Sequence, residues 1–169
     1  MSQVTKFKKQ IEINQSKDKV WQALADFGNI CHGHPGVSKS HITSILKTGV
    51  GATRHCDFTM MGASAEEIIS DWNEGKNITV KVYELHKMPG LDTVSLDLAI
   101  EEKGAKTLLT GTMNYTMKNA FFDFMNTLVM KKINSKLLEG ILAGHKLYIE
   151  TGTIVNDKTK LNLKEVKHL

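Results

Sequence analysis

Between His41 and Met117 apolar and polar positions alternate with a period of two. The segments "HITSIL", "GATRHCDFTM", "SAEEIISDW", "NITVKVYEL", "DTVSLDLAIEE" and "KTLLTGTMNYTM" each read as a strand, because a pleated chain turns successive side chains to opposite faces. They are separated by "KTGVG", "MGA", "NEGK", "HKMPGL" and "KGA", links of hairpin length with turn residues. Links this short join antiparallel neighbours, since parallel strands need long crossovers. A further strand precedes them: "VTKFKKQIEIN" puts Phe7, Ile11 and Ile13 on one face.

Two stretches follow a different period. In "SKDKVWQALADF", Ser16 is placed to cap a helix and Asp18 falls in its first turn. Val20, Trp21, Leu24 and Phe27 then recur at helical spacing. The loop "GNICHGHPGVSKS" comes next, with room for one more helical turn. From Asn119 to Thr151 there is no proline, and Phe121, Phe122, Met125, Leu128, Val129, Ile133, Leu137, Ile141 and Tyr148 form a helical stripe. Gly140 and Gly144 allow close packing or a bend there. The charged segment "TIVNDKTKLNLKEVKHL" carries little pattern and is either frayed or a short addition that pairs with a neighbour. The expected organisation is one domain over residues 1–152 and a tail over 153–169.

The order strand, one or two short helices, six strands, long helix predicts an α+β fold. A curved, seven-stranded antiparallel sheet wraps around the C-terminal helix. One helix cannot cover so wide a sheet, so the sheet must curl, and space remains between the layers unless large side chains fill it.

Composition removes several alternatives. The 169 residues suffice for one core, and the net charge of +4 is mild. The lysines are scattered without the clustered arginines and interleaved aromatics of nucleic-acid grooves, so no nucleic-acid partner is expected. No apolar run approaches the ~18 residues of a membrane span, and the first thirty residues show no secretory core. With Cys31 and Cys56 its only cysteines, the chain has no disulfide framework, and a reducing cytoplasm is the default. Eight methionines suit a pocket that adapts its shape.

The densest chemistry lies in "ICHGHPGV", where Cys31, His32 and His34 stand close together. Zinc needs about four converging ligands, and no HxxxH pair elsewhere completes a set, so neither metal nor other cofactor is expected. A Cys–His nucleophile needs a third, orienting group, and adjacent residues rarely aim at one another.

"VWQALADFGNI" followed by "HPGV", then "GVGATRHCDF", then "EEIISDWNEGKNITVKV" and an amphipathic final helix, resembles the START and birch-pollen-allergen-like superfamily. The similarity is nearest to its polyketide cyclase/dehydrase branch and covers about residues 3 to 150. The resemblance implies the helix-grip fold, with the last helix lying across the sheet above a hydrophobic tunnel. It also implies that His32 and His34 sit on the tunnel rim, because in this superfamily the loop after the first helix borders the mouth.

Strand parity then nominates the cavity wall. Val80 and Val82 belong to one inner set, and Leu96 and Leu98 to another. Met113 and Tyr115 come from the last strand, and Phe122, Met125 and Val129 from the helix. Arg54, Cys56 and Phe58 form the more apolar set of their strand, and the resemblance also turns the set containing the arginine inward. In "SAEEIISDW" apolar content does not decide between Ile68 and Ile69, and the resemblance puts Ser64, Glu66 and Ile68 inward.

Two functions follow. One is a binding protein that encloses a hydrophobic small molecule, such as a lipid, sterol, quinone or aromatic polyketide-like compound. It would act as monomer or homodimer, without stable membrane insertion. The other is a cyclase or dehydratase using Glu66 or His34 as general base, with Arg54 or Tyr115 stabilising an enolate-like oxygen. A protein-binding role for the sheet or helix surface is the third possibility.

Overall fold

The computed structural model describes residues 3–169. Strand β1 (Thr5–Ile13) buries Ile11 and Ile13 and exposes Lys6 and Lys8, whereas Lys9 is buried. That lysine is buried because its Nζ donates to Ser135 Oγ at 2.6 Å and pairs with Glu139 at 2.5 Å, both on the final helix. Helix α1 (Lys17–Ala25) begins where the sequence places its cap, with the Lys19 N–H donating to Ser16 Oγ. Its apolar stripe buries Val20, Trp21 and Leu24, each side chain contributing about 1.5–3 kcal/mol by leaving water. Trp21 meets Trp72 edge-on, and both indole N–H groups donate to Glu74 at 2.7 Å, which ties α1 to the sheet.

After a 3₁₀ turn (Phe27–His32) come β2 (Val37–Ile42), β3 (Thr53–Phe58), β4 (Ser64–Asn73), β5 (Asn77–His86), β6 (Leu91–Lys103) and β7 (Lys106–Met117). Every neighbouring pair is antiparallel. Strand β2 starts at Val37 rather than at His41, so most of "HITSIL" is loop. The strand is held in place where the Ser40 hydroxyl donates to the Gly28 carbonyl at 2.7 Å.

The long helix is continuous but not uniform. It runs as α2 (Ala120–Met125), a π turn (Asn126–Met130) and α3 (Lys131–Thr151). Within the π turn, Asn126 is buried; it accepts from the Tyr115 hydroxyl at 2.7 Å and donates to Thr5 Oγ1 at 2.9 Å. A π turn holds an extra residue, which changes the face that the helix presents to the sheet. Phe121, Phe124, Leu128 and Val129 are therefore exposed, while Asn134, Leu138, Ile141, Leu142 and His145 are buried further on.

Helix α3 packs chiefly on β1 and β7. It comes close to β7 at Gly111, where a Cβ would stand 2.9 Å from Leu138. The segment beyond α3 is placed on the fold: the Val155 N–H donates to the His32 carbonyl, Val166 joins the core, and β8 (Lys167–His168) pairs with β1. Among the described residues the sheet thus has eight strands rather than seven, in the order β2-β3-β4-β5-β6-β7-β1-β8. With the helix seated on β1 and β7, the arm from β3 to β6 curls away from it and encloses a space.

Candidate functional site: an apolar cavity between sheet and helix

That space has a volume of about 120 Å³. Its sheet wall follows strand parity closely. Val80 and Val82 face it from β5, Leu96 and Leu98 from β6, and Met113 and Tyr115 from β7. From β3 come Arg54 and Phe58. Cys56, between them on the same face, is fully buried but does not line the cavity, and burial pushes its thiol up to about 12.

Strand β4 departs from the expectation. Ala65, Glu67 and Ile69 are the buried set, and Ser64, Glu66 and Ile68 lie on the outer face. Glu66 therefore cannot serve as a cavity base. It bonds instead to His55 Nδ1, and the other nitrogen of that ring lies 3.1 Å from Asp57. The acid facing the cavity is Glu67. Its Oε2 accepts from Arg54 Nε at 2.7 Å and meets Nη2 at 2.5 Å. Arg54 Nη1 donates to the Phe27 carbonyl at 2.8 Å, and the guanidinium carbon stands 4.1 Å over the Phe27 ring. A buried ion pair is tolerable only when the remaining polar atoms also find partners, and Arg54 meets that condition.

The helical wall is displaced along the chain. Phe122, Met125 and Val129 do not line the cavity; Asn134, Leu137 and Ile141 do. Phe122 packs against the β5–β6 turn, next to Gly90, and Val129 is exposed. The cause is the π turn together with the position of α2 and the start of α3 beyond the curl of the sheet. Asn134 is 7% exposed, and its Nδ2 is the one buried side-chain nitrogen or oxygen without a hydrogen-bond partner among the described residues. Leaving such a donor unmet costs about 1–3 kcal/mol.

The two rim histidines separate. His32 does not line the cavity; its ring lies 5.4 Å from Tyr148, with Nδ1 3.3 Å from the hydroxyl. His34 is buried and lines the cavity. Helix α3 admits the loop that far because residue 144 is glycine: a Cβ there would stand 3.2 Å from Pro35 and closer still to the Gly33 carbonyl. Burial, then the neighbouring His145 and Arg54, lower the His34 pKa to about 3. Burial likewise takes His145 down to about 4, while its Nδ1 donates to the Ile141 carbonyl at 2.7 Å. Neither imidazole carries charge at neutral pH.

The cavity is thus an apolar chamber with one ion pair, one neutral histidine and one amide with an unmet donor. Sequence parity missed Glu67 and Asn134. For Asn134 a signal existed, since a polar residue sits in phase with Leu137 and Ile141; for Glu67 there was none.

Comparisons with known proteins agree with this architecture. The TTHA0849 protein of Thermus thermophilus superposes with a TM-score of 0.71 at 14% identity, covering 86% of this chain and 97% of that one. The ginseng major latex-like protein 151 of Panax ginseng gives 0.69 at 15% identity over 86% and 97%. Ara h 8.0201 gives 0.67 at 14% identity over 87% and 98%. Identities this low establish the fold alone. No curated protein matches the sequence significantly. Residues 4–150 match the family described as polyketide cyclase / dehydrase and lipid transport, and the chain, with its helix gripped by a curled sheet, belongs to that family.

Proposed function

We propose that the protein takes up one small hydrophobic molecule in the chamber between β3–β7 and α3. The observation that carries this reading is a cavity walled by aliphatic, methionine and aromatic side chains and left open by a well-packed fold. Interiors normally close to crystal-like density, so a persistent space of this size calls for an occupant.

The size narrows the class. One water needs about 10–15 Å³ of such space and displaces about 30 Å³ of liquid, so 120 Å³ corresponds to a guest of roughly 250–350 Å³. Two or three fused rings fit, as in a quinone or an aromatic polyketide-like compound; a lipid with full acyl chains exceeds it. The enzyme alternative is weaker. Its proposed base, Glu66, is outside, and a histidine lowered to about 3 has little affinity for a proton at neutral pH. Both cysteines are free, which fits action in a reducing cytoplasm. No helix among the described residues is long and apolar enough to cross a membrane.

Native mass spectrometry after gentle purification tests the proposal. Wild type is expected to retain a bound small molecule or to accept one equivalent of an apolar fluorophore. The cavity-filling variant Leu96→Trp is expected to do neither while keeping its circular dichroism. If wild type and variant behave alike, the chamber is not a binding site.

A further inference from the structure

The cavity is apolar over most of its wall, so its polar groups decide which ligand oxygens or nitrogens it can hold. Most of them are already engaged. Arg54 uses Nε and Nη2 on Glu67 and Nη1 on the Phe27 carbonyl, and the Tyr115 hydroxyl donates to Asn126. Two groups differ. Asn134 is more than nine-tenths buried, lines the cavity, and finds no acceptor for its Nδ2 hydrogens among the described residues.

His34 is the second. Its Nδ1 accepts the Gly36 N–H at 3.0 Å, and a neutral imidazole that accepts through Nδ1 carries its proton on Nε2. That N–H has no acceptor among the described residues, and His34 lines the same cavity. The ring cannot swing freely. The His34 N–H is bonded to the Ile30 carbonyl, the Val37 N–H to the His34 carbonyl, and the loop is pressed against Gly144 of α3. Leu137, one turn after Asn134, reaches to within 3.9 Å of where a Gly36 Cβ would stand, so loop and helix meet on this side of the chamber.

We infer that the Asn134 amide and the His34 Nε2–H form a two-donor cradle for a carbonyl oxygen, so that the ligand is an apolar ring compound bearing a ketone or quinone carbonyl. This rests on the reading of the chamber as a hydrophobic binding site. A buried donor without a partner is costly, and a ligand that supplies the acceptor relieves the cost on binding; a hydrocarbon of the same shape leaves it in place.

The test uses the full chain and two probes of equal shape, methyl naphthyl ketone and isopropenylnaphthalene, titrated by calorimetry. The ketone is expected to bind about tenfold more tightly than the hydrocarbon. Asn134→Leu and His34→Phe are each expected to remove most of that preference, read as the ratio of ketone to hydrocarbon affinity within each variant. A measurement on wild type alone backs this up should either variant fold poorly. The infrared carbonyl stretch of the bound ketone should lie below its frequency in hexane, as for a carbonyl accepting hydrogen bonds. Equal affinity for both probes, or a hexane-like carbonyl stretch, overturns the cradle and leaves the binding site standing. Binding of neither probe overturns both.

Discussion

The two faces of the sheet carry nearly the same chemistry and use it differently. On the inner face, Arg54 and Glu67 are paired within the fold, with His34 and His145 close enough to Arg54 to feel its charge. On the outer face, His55 lies between Glu66 and Asp57, with the His41 ring tilted against it at 5.4 Å. Glu66 and Glu67 are adjacent in sequence, yet one meets water and the other meets a cavity. Inside, each charge must be matched and each histidine stays neutral. Outside, the same residue types hold charge freely, and the carboxylates raise the pKa of His55. Burial, more than residue identity, sets the role.

Acid should separate the two faces most strongly. His34 and His145 have folded pKa values of about 3 and about 4, below the usual 6.5, so the fold favours their neutral forms. Their contribution is complete above pH 6.5 and is lost as the pH falls toward 4 and then 3. The loss is on the order of several kcal/mol. Urea unfolding across that range should show the decline, and His145→Gln should flatten part of it. A profile unchanged by that substitution would break the contrast.

Next in size is Glu67→Ala, which leaves Arg54 buried without its acid. A loss of about 3–5 kcal/mol is expected, while replacing both partners together, Arg54→Met with Glu67→Leu, should cost far less. Thermal denaturation of the three variants measures this.

The smallest effect belongs to the outer face. Glu66→Gln should change stability by no more than about 0.5 kcal/mol. Its signature is in pH dependence. Because the folded pKa of His55 is raised, its contribution is present below 6.5 and fades as the pH rises through the raised value, opposite in sign to the inner histidines. An NMR titration should show the His55 pKa returning toward its ordinary value in the variant.

How far these features could be read from the chain depends on whether the sequence itself alternates. In "NITVKVYEL" and "DTVSLDLAI" each apolar residue has a polar neighbour, so parity identifies Val80, Val82, Leu96 and Leu98 as inward. "SAEEIISDW" doubles both its acids and its isoleucines, and a one-residue slip leaves the pattern unchanged. Bulges between β4 and β5 at Glu66/Glu67 and Ile69/Asp71 disturb it further. The final helix misled for another reason. Its apolar stripe is continuous in sequence, but the π turn at Asn126–Met130 re-phases it, and the buried apolar residues lie in the second half, while the first half meets the sheet through Phe122 and Asn126. The pairing of the C-terminal segment with β1 rests on two residue pairs, too few to leave a period.

Gly144 never touches the chamber, yet it governs one of its walls. Adding a single methyl group there would drive α3 against the Gly33 carbonyl and lever the following histidine out of alignment. Ligand preference in this fold can therefore drift through a hidden fulcrum, at a residue that no inspection of the binding surface would single out.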